Sequence, residues 1–132
     1  MSEKLDVVGI GNAMVDAIIP SNQSEIEKHE INRDSMNLID EGLKNNLHDS
    51  YSIREMAGGG SLGNSMFGIT SFGGNGSFIG KIKNDEIGIY LQKDMVREGL
   101  KFPLGFTSPD ISTGCCTIFV EEDGTRTMCT FL

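Results

Sequence analysis

Leu5-Asp6-Val7-Val8-Gly9-Ile10-Gly11-Asn12-Ala13-Met14-Val15-Asp16-Ala17-Ile18-Ile19 stands near the start of the chain. Leu5 to Gly11 is largely β-branched and ends in glycine, which is the pattern of a strand buried on both faces. The residues after Gly11 decide the fold. A dinucleotide-binding loop needs a third glycine, or an alanine, at position 14, so that a helix can pack closely on the strand. Met14 is bulky, and Val15 to Ile19 prefers extended geometry. The first strand is therefore expected to run into a second, Met14 to Ile19, closed by Pro20, and a Rossmann dehydrogenase is set aside.

Beyond Pro20, Ser24 to His29 reads as a short helix with a serine cap. Met36 to Ile39 is extended, and Asp40 caps a helix reaching about Leu47. Tyr51 to Met56 is extended and leads into a glycine loop. Asn64 to Phe72 is a helix of small residues ended by Gly73-Gly74, and Gly76 to Ile82 is a strand. The next helix is the clearest. Asn84 or Asp85 caps it, Gly99 stops it, and Ile87, Tyr90, Leu91, Asp94 and Met95 share one face. Thr117 to Glu121, a turn at Asp123-Gly124 and a return from Thr125 form a hairpin. Strands alternating with helices, with hairpin-like strands at both ends, specify an α/β fold with antiparallel additions. The pattern stops unfinished at Cys129-Thr130-Phe131-Leu132, which reads as a cut inside a larger protein.

The composition narrows the function. The 132 residues suit one domain, and 38% apolar with 23% charged residues suits a globular one. A net charge of −8 disfavours nucleic acid as a partner. No apolar run is long enough to span a membrane, and the start lacks the order of a signal peptide. Three cysteines, two of them adjacent (Cys115, Cys116 and Cys129), make no disulfide framework and fit a reducing, cytoplasmic setting.

Glu55-Met56-Ala57-Gly58-Gly59-Gly60-Ser61-Leu62-Gly63-Asn64-Ser65-Met66 packs four glycines into six residues. Gly58 to Gly63 has the glycine spacing of a P-loop, and Ser65 sits where its hydroxyl belongs. Asn64, however, replaces the lysine that reaches the outer phosphates. The remaining reading is a clamp for a neutral, hydroxyl-rich ligand. Asn64 offers a donor and an acceptor, and Gly59 and Gly60 let a ligand approach backbone N–H groups. Asn12 and Asp16 lie just after the first strand, and one carboxylate can accept two hydrogen bonds from a vicinal diol. Taken singly, Asn12 and Asn64 are also ordinary turn formers. Asp16 among Val15, Ala17, Ile18 and Ile19 is costly unless it has a partner.

These stretches resemble, in order, the PfkB or ribokinase-like family of carbohydrate and nucleoside kinases. Asp6 to Asp16 matches its opening. Gly59 to Asn64 with the helix after it, Phe72-Gly73-Gly74, Ser77 to Lys81, Asn84 to Gly88, Glu98 to Leu100, Thr113-Gly114 and Asp123 to Met128 continue it over almost the whole chain. GIGNAMVD at 9–16, SMNLID at 35–40 and TRTMCTFL at 125–132 are most similar to the adenosine-kinase-like branch. The resemblance makes residues 1–132 the N-terminal portion of a ribokinase-like three-layer α/β/α fold with a small β lid. The lid strands would lie at about 13–19, 35–39 and 113–132, and the chain would be truncated before the ATP-binding half.

What it implies chemically is transfer of the γ-phosphoryl of ATP, with Mg²⁺, to a sugar hydroxyl, an adenosine-like acceptor being favoured. Positions matching Asn12, Asp16, Gly59, Gly60 and Asn64 bind the sugar or ribose. Those matching Met14, Leu38 and Cys116 lie near the nucleoside. The family's Gly-Ala-Gly-Asp motif, with its anion hole and catalytic base, has no match here. No catalytic residue is therefore expected in this chain, and alone it should be inactive, with unpaired strand edges and exposed apolar faces. The family prefers small residues where Leu62 and Met66 stand, so these are expected to shift Asn64 or narrow the pocket. Oligomeric state stays open. The other reading is a non-catalytic sugar- or nucleoside-binding module, or the remnant of a truncated gene.

Other residues are assigned to structure. His29 and His48 have no metal-ligand spacing and read as surface histidines. Cys115 and Cys116 should face opposite ways, one into the core and one toward the surface. Met66, Met95 and Met128 read as core.

Overall fold

The computed structural model describes residues 4–132. The elements are β1 (Val7–Ile10), β2 (Met14–Pro20), α1 (Gln23–Glu27), β3 (Met36–Leu38), α2 (Glu41–Ser50), β4 (Glu55–Gly59), α3 (Ser61–Ser71), β5 (Gly76–Ile79), β6 (Ile82–Lys83), α4 (Glu86–Arg97), β7 (Phe106–Ser108), β8 (Gly114–Val120) and β9 (Arg126–Phe131). They fall into two compact units. One holds the chain up to Val15 together with Ala57–Gly114; the other holds Asp16–Met56 and Cys115–Leu132.

In the first unit β1 and β5 pair in parallel, Val7 with Gly76 through Ile10 with Ile79. Lys101 bridges to Ser77 on β5, so β5 is buried from Gly76 to Phe78. β1 differs from the expectation of a strand buried on both faces. Gly9 and Gly11 point at α3, but Val8 and Ile10 face the other way and are 51% and 76% exposed. Among the described residues one strand and one helix cover β1, and its second face has no layer against it.

The packing of α3 explains three glycines and shows where Leu62 and Met66 pack. A Cβ on Gly9 would lie 2.9 Å from Met66 Sδ, one on Gly76 2.9 Å from Met66 Cε, and one on Gly11 2.6 Å from Leu62 Cδ2. Real Cβ atoms do not approach so closely. Leu62 and Met66 therefore occupy room that the glycines of β1, β5 and the β1–β2 turn leave open.

The helix α4 follows its sequence pattern. Asp85 is the cap, its side chain accepting from the Gly88 N–H, and Gly99 ends the helix at φ +86°. Ile87, Leu91, Asp94 and Met95 are buried. Asp85 also accepts from the N–H and hydroxyl of Thr113, 3.0 and 2.8 Å away, tying α4 to the segment before β8.

The second unit is built on a sheet of order β3-β9-β8-β2-β4, three of whose strands (β2, β4 and β8) begin or end in the first unit. β8 and β9 form the expected antiparallel hairpin, and β3 adds to β9 in parallel. Ile19, Phe119 and Cys129 on one face meet Ile26 of α1 and Leu47 of α2 in a core. Tyr51 sits edge-on to Phe119, and His29 stacks on it.

Local chemistry moves several boundaries. Asn22, not Ser24, caps α1, because its side chain already accepts from the Glu25 N–H. Asp40 caps α2 as expected, but α2 runs three residues past Leu47 to Ser50. Strand β4 starts at Glu55 and takes in Gly58 and Gly59, so α3 begins at Ser61, three residues before the expected start. Neither histidine is a bare surface residue. His29 Nε2 is 2.7 Å from the Tyr51 hydroxyl, and His48 Nε2 is 2.8 Å from Thr117 Oγ1. Cys115 and Cys116 are both buried, Cys115 under α2 with its Sγ 3.8 Å from His48 Nε2 and Cys116 beside Thr130 of the neighbouring strand.

Candidate functional site

Of the expected site residues, five lie in the first unit. Gly59 is the buried last residue of β4. Gly60 comes next at φ +81°, ψ 152°, a conformation that strains any residue with a Cβ, and caps α3 with no side-chain acceptor. A Cβ there would also lie 3.0 Å from Met14 Cγ and 3.6 Å from the Asn12 carbonyl oxygen. Asn12, in the β1–β2 turn, and buried Met14 are thus brought against the glycine turn. The Gly60 carbonyl accepts from the Asn64 N–H at 2.9 Å. Asn64 has its backbone committed to α3 while its side chain is exposed, as is that of Asn12. The first N–H groups of a helix have no partner within it. This turn is therefore rich in donors and has two side-chain amides nearby.

The other three residues share one face of the sheet in the second unit. Leu38 pairs with Thr130 and Thr130 with Cys116, so the three form a row across β3, β9 and β8. Ala17 and Ile19 of β2 are buried, Ile19 in the core under α1 and α2. The alternation of a strand then sends Asp16 and Ile18 to the opposite face. Asp16 is half-buried, and desolvation raises its carboxyl above the usual aspartate range. Leu38 is 72% exposed and Cys116 buried. The Thr130 hydroxyl donates to Cys116 Sγ at 3.5 Å. Burial raises the Cys116 thiol, with a smaller push from the charge of Asp16. Cys115, beneath the sheet, is raised to about 12 by burial, so it is inert as a nucleophile.

Sequence reasoning misses one residue beside the glycine turn. Asp94 of α4 accepts from the Gly58 N–H at 3.0 Å. The available signal is a carboxylate on an otherwise apolar helix face.

The sequence profile of the pfkB family carbohydrate kinases matches residues 4–132. The chain belongs to the PfkB family. Its fold is similar to that of adenosine kinase from Sinorhizobium meliloti, at 35% identity and TM-score 0.83, covering 98% of this chain and 40% of that one. It is similar to a probable sugar kinase from Rhizobium etli CFN 42, at 32% identity and TM-score 0.82, covering 97% and 39%. Adenosine kinase from Anopheles gambiae, solved with P1,P4-di(adenosine-5) tetraphosphate, shares the fold at 23% identity and TM-score 0.79, covering 95% and 38%. The chain thus spans about two fifths of the length of these kinases. No curated protein matches the chain. The architecture of this PfkB chain is the ribokinase-like α/β fold of these neighbours. None of its described helices is long and apolar enough to cross a membrane.

Proposed function

We propose that the protein carrying this PfkB chain transfers a phosphoryl group from ATP to a sugar hydroxyl, with adenosine or a related ribosyl compound as the favoured acceptor. This chain contributes the acceptor-binding side. The observation that carries the reading is 35% identity to an adenosine kinase in a match that covers 98% of the chain. The gathering of Asn12, Met14, Gly60 and Asn64 agrees with it.

In this reading the Gly59 and Gly60 backbone approaches the sugar, Asn12 and Asn64 donate and accept at its hydroxyls, and Asp16 accepts from a vicinal diol. Met14, Leu38 and Cys116 line the place of the base. The strands at about 13–19, 35–39 and 113–132 act as the lid. The protein works in the cytoplasm on a small molecule, not on nucleic acid or a membrane.

The residues described do not by themselves fit ATP and Mg²⁺. Among them no three His, Cys, Asp or Glu side chains converge as metal ligands, and Asn64 stands where a phosphate-binding lysine would be needed. Phosphoryl transfer depends on positioning and charge stabilisation around the donor. The catalytic base and the donor site are assigned to sequence outside these residues, and the 132 residues alone are expected to be inactive.

The test is a coupled ATP-consumption assay on the protein carrying this chain, with adenosine and a panel of sugars, beside calorimetry. Turnover that Asp16→Ala abolishes supports the kinase reading. Acceptor binding without turnover favours the non-catalytic module, and full turnover by Asp16→Ala on every acceptor removes the proposed site.

A further inference from the structure

We infer that Asp94 is a positioning residue for acceptor binding: its carboxylate, reaching from α4, holds the Gly58 N–H and so sets the backbone that presents Gly59 and Gly60. The inference rests on the proposed acceptor site and names a residue outside the sugar-binding motif.

The helix face explains why a carboxylate there is unexpected. Asp94 is 7% exposed and lies among Ile87, Leu91 and Met95, all buried. A leucine would pack there with no desolvation cost, whereas a buried carboxylate must be paired and hydrogen-bonded. Both of its oxygens are engaged. Oδ2 takes the Gly58 N–H at 3.0 Å, and Oδ1 pairs with the Arg97 guanidinium one helical turn on.

The partner of Asp94 is equally constrained. A Cβ on Gly58 would lie 2.7 Å from Phe67 Cε2 of α3 and 2.9 Å from Asp94 Oδ2. Two helices therefore close on this residue, and a glycine leaves them room. β4 is an edge strand in the sheet order, so an N–H turned away from the ladder needs an acceptor from elsewhere. Asp94 is that acceptor.

Two residues later Gly60 turns the chain into α3, with its carbonyl accepting from the Asn64 N–H and Met14 Cγ 3.0 Å from where a Cβ would stand. The backbone from 58 to 64 is pinned by Asp94 at one end and by the first turn of α3 at the other. Gly59 and Gly60 lie between the pins. Releasing the first lets the glycine N–H groups sample orientations from which a sugar must select, and that lowers affinity without touching the donor side.

The experiment makes Asp94→Leu and Asp94→Asn in the protein carrying this chain. It reads amide exchange at Gly58 by NMR, adenosine affinity by calorimetry, and KM for adenosine and for ATP. With Asp94→Leu, Gly58 exchange should speed up and Kd and KM for adenosine should rise, each roughly tenfold, as expected for loss of a charge-assisted hydrogen bond. KM for ATP should stay unchanged. Asp94→Asn keeps an oxygen in place and should recover most of both effects. A folded Asp94→Leu protein with wild-type adenosine affinity overturns the proposal. Equal losses for adenosine and ATP also overturn it, because they mark general loosening. If Asp94→Leu does not fold, Asp94→Ser, too short to reach the Gly58 N–H, is read against the same outcomes. A wild-type protein that binds neither adenosine nor any sugar of the panel overturns the acceptor-site reading and this proposal with it. That failure is seen before any variant is compared.

Discussion

The glycine turn and the open sheet face carry the two halves of the proposed residue set by opposite means. At the turn the glycine backbone, flanked by the Asn12 and Asn64 amides, is held because there is no room for side chains on it: a Cβ at Gly58 or Gly60 would meet Phe67 or Met14. On the sheet face they are side chains, Asp16, Leu38 and Cys116, placed by strand register. The difference predicts how each half fails. A turn defined by exclusion breaks when atoms are added, and a face defined by side chains breaks when atoms are removed.

The largest effect is expected on the sheet face. Asp16→Ala removes a carboxylate proposed to accept two hydrogen bonds, each worth about 1.5–3 kcal/mol when charged. Turnover by the protein carrying this chain should fall by about a hundredfold or more, read as kcat/KM on adenosine. Retention of wild-type kcat/KM would falsify a role for the sheet face in acceptor binding.

Next comes added bulk at the turn. Gly60→Val forces a β-branched residue to φ +81° and into Met14. A cost of about 1–3 kcal/mol in unfolding free energy is expected from backbone strain alone, measured by urea denaturation. Gly63, three residues on, is the contrast, since a Cβ there meets nothing within 4 Å. It lies inside α3, so Gly63→Ala should raise stability by about 0.5–1 kcal/mol. If both substitutions destabilise alike, exclusion is not what distinguishes the turn from the helix after it.

The same contrast explains what is legible in the sequence. Pattern along the chain is local, and it is enough for the strand-to-strand opening, for α4 with its Asp85 cap, and for the β8–β9 hairpin. The turn is harder. Glycine has low strand propensity, so pattern alone ends β4 at Met56, yet Gly58 and Gly59 extend it because Asp94 and Phe67 close around Gly58. The packing of Leu62 and Met66 escapes pattern for a related reason. Whether a large residue intrudes depends on what faces it, and Gly9, Gly11 and Gly76 are distant in sequence. β1 has the composition of a two-sided strand, but burial depends on neighbouring layers, and only one covers it among the described residues. His29 and His48 carry no spacing that foretells their hydroxyl partners, Tyr51 and Thr117, because both contacts are tertiary.

The smallest predicted effect separates holding a ligand from holding the fold at a single residue. Desolvation raises the Asp16 carboxyl in the folded chain, so the native state keeps that proton to higher pH than the unfolded state does. The stabilisation from this linkage is complete below the unfolded aspartate value, near 3.9, and is lost as pH rises through the raised folded value. Above that window the fold bears an uncompensated, half-buried charge. Asp16→Asn removes the charge and keeps the shape. It should melt slightly higher than wild type at pH 7, with the difference closing as pH falls toward 4, while its affinity for adenosine drops. A pH-independent gap in melting temperature would show that the charge of Asp16 costs the fold nothing. A gap of the expected form, together with weakened binding, would mean that the sheet face keeps a destabilising carboxylate for its ligand. The glycine turn, working through backbone and the amides of Asn12 and Asn64, offers no titrating group to show such an exchange.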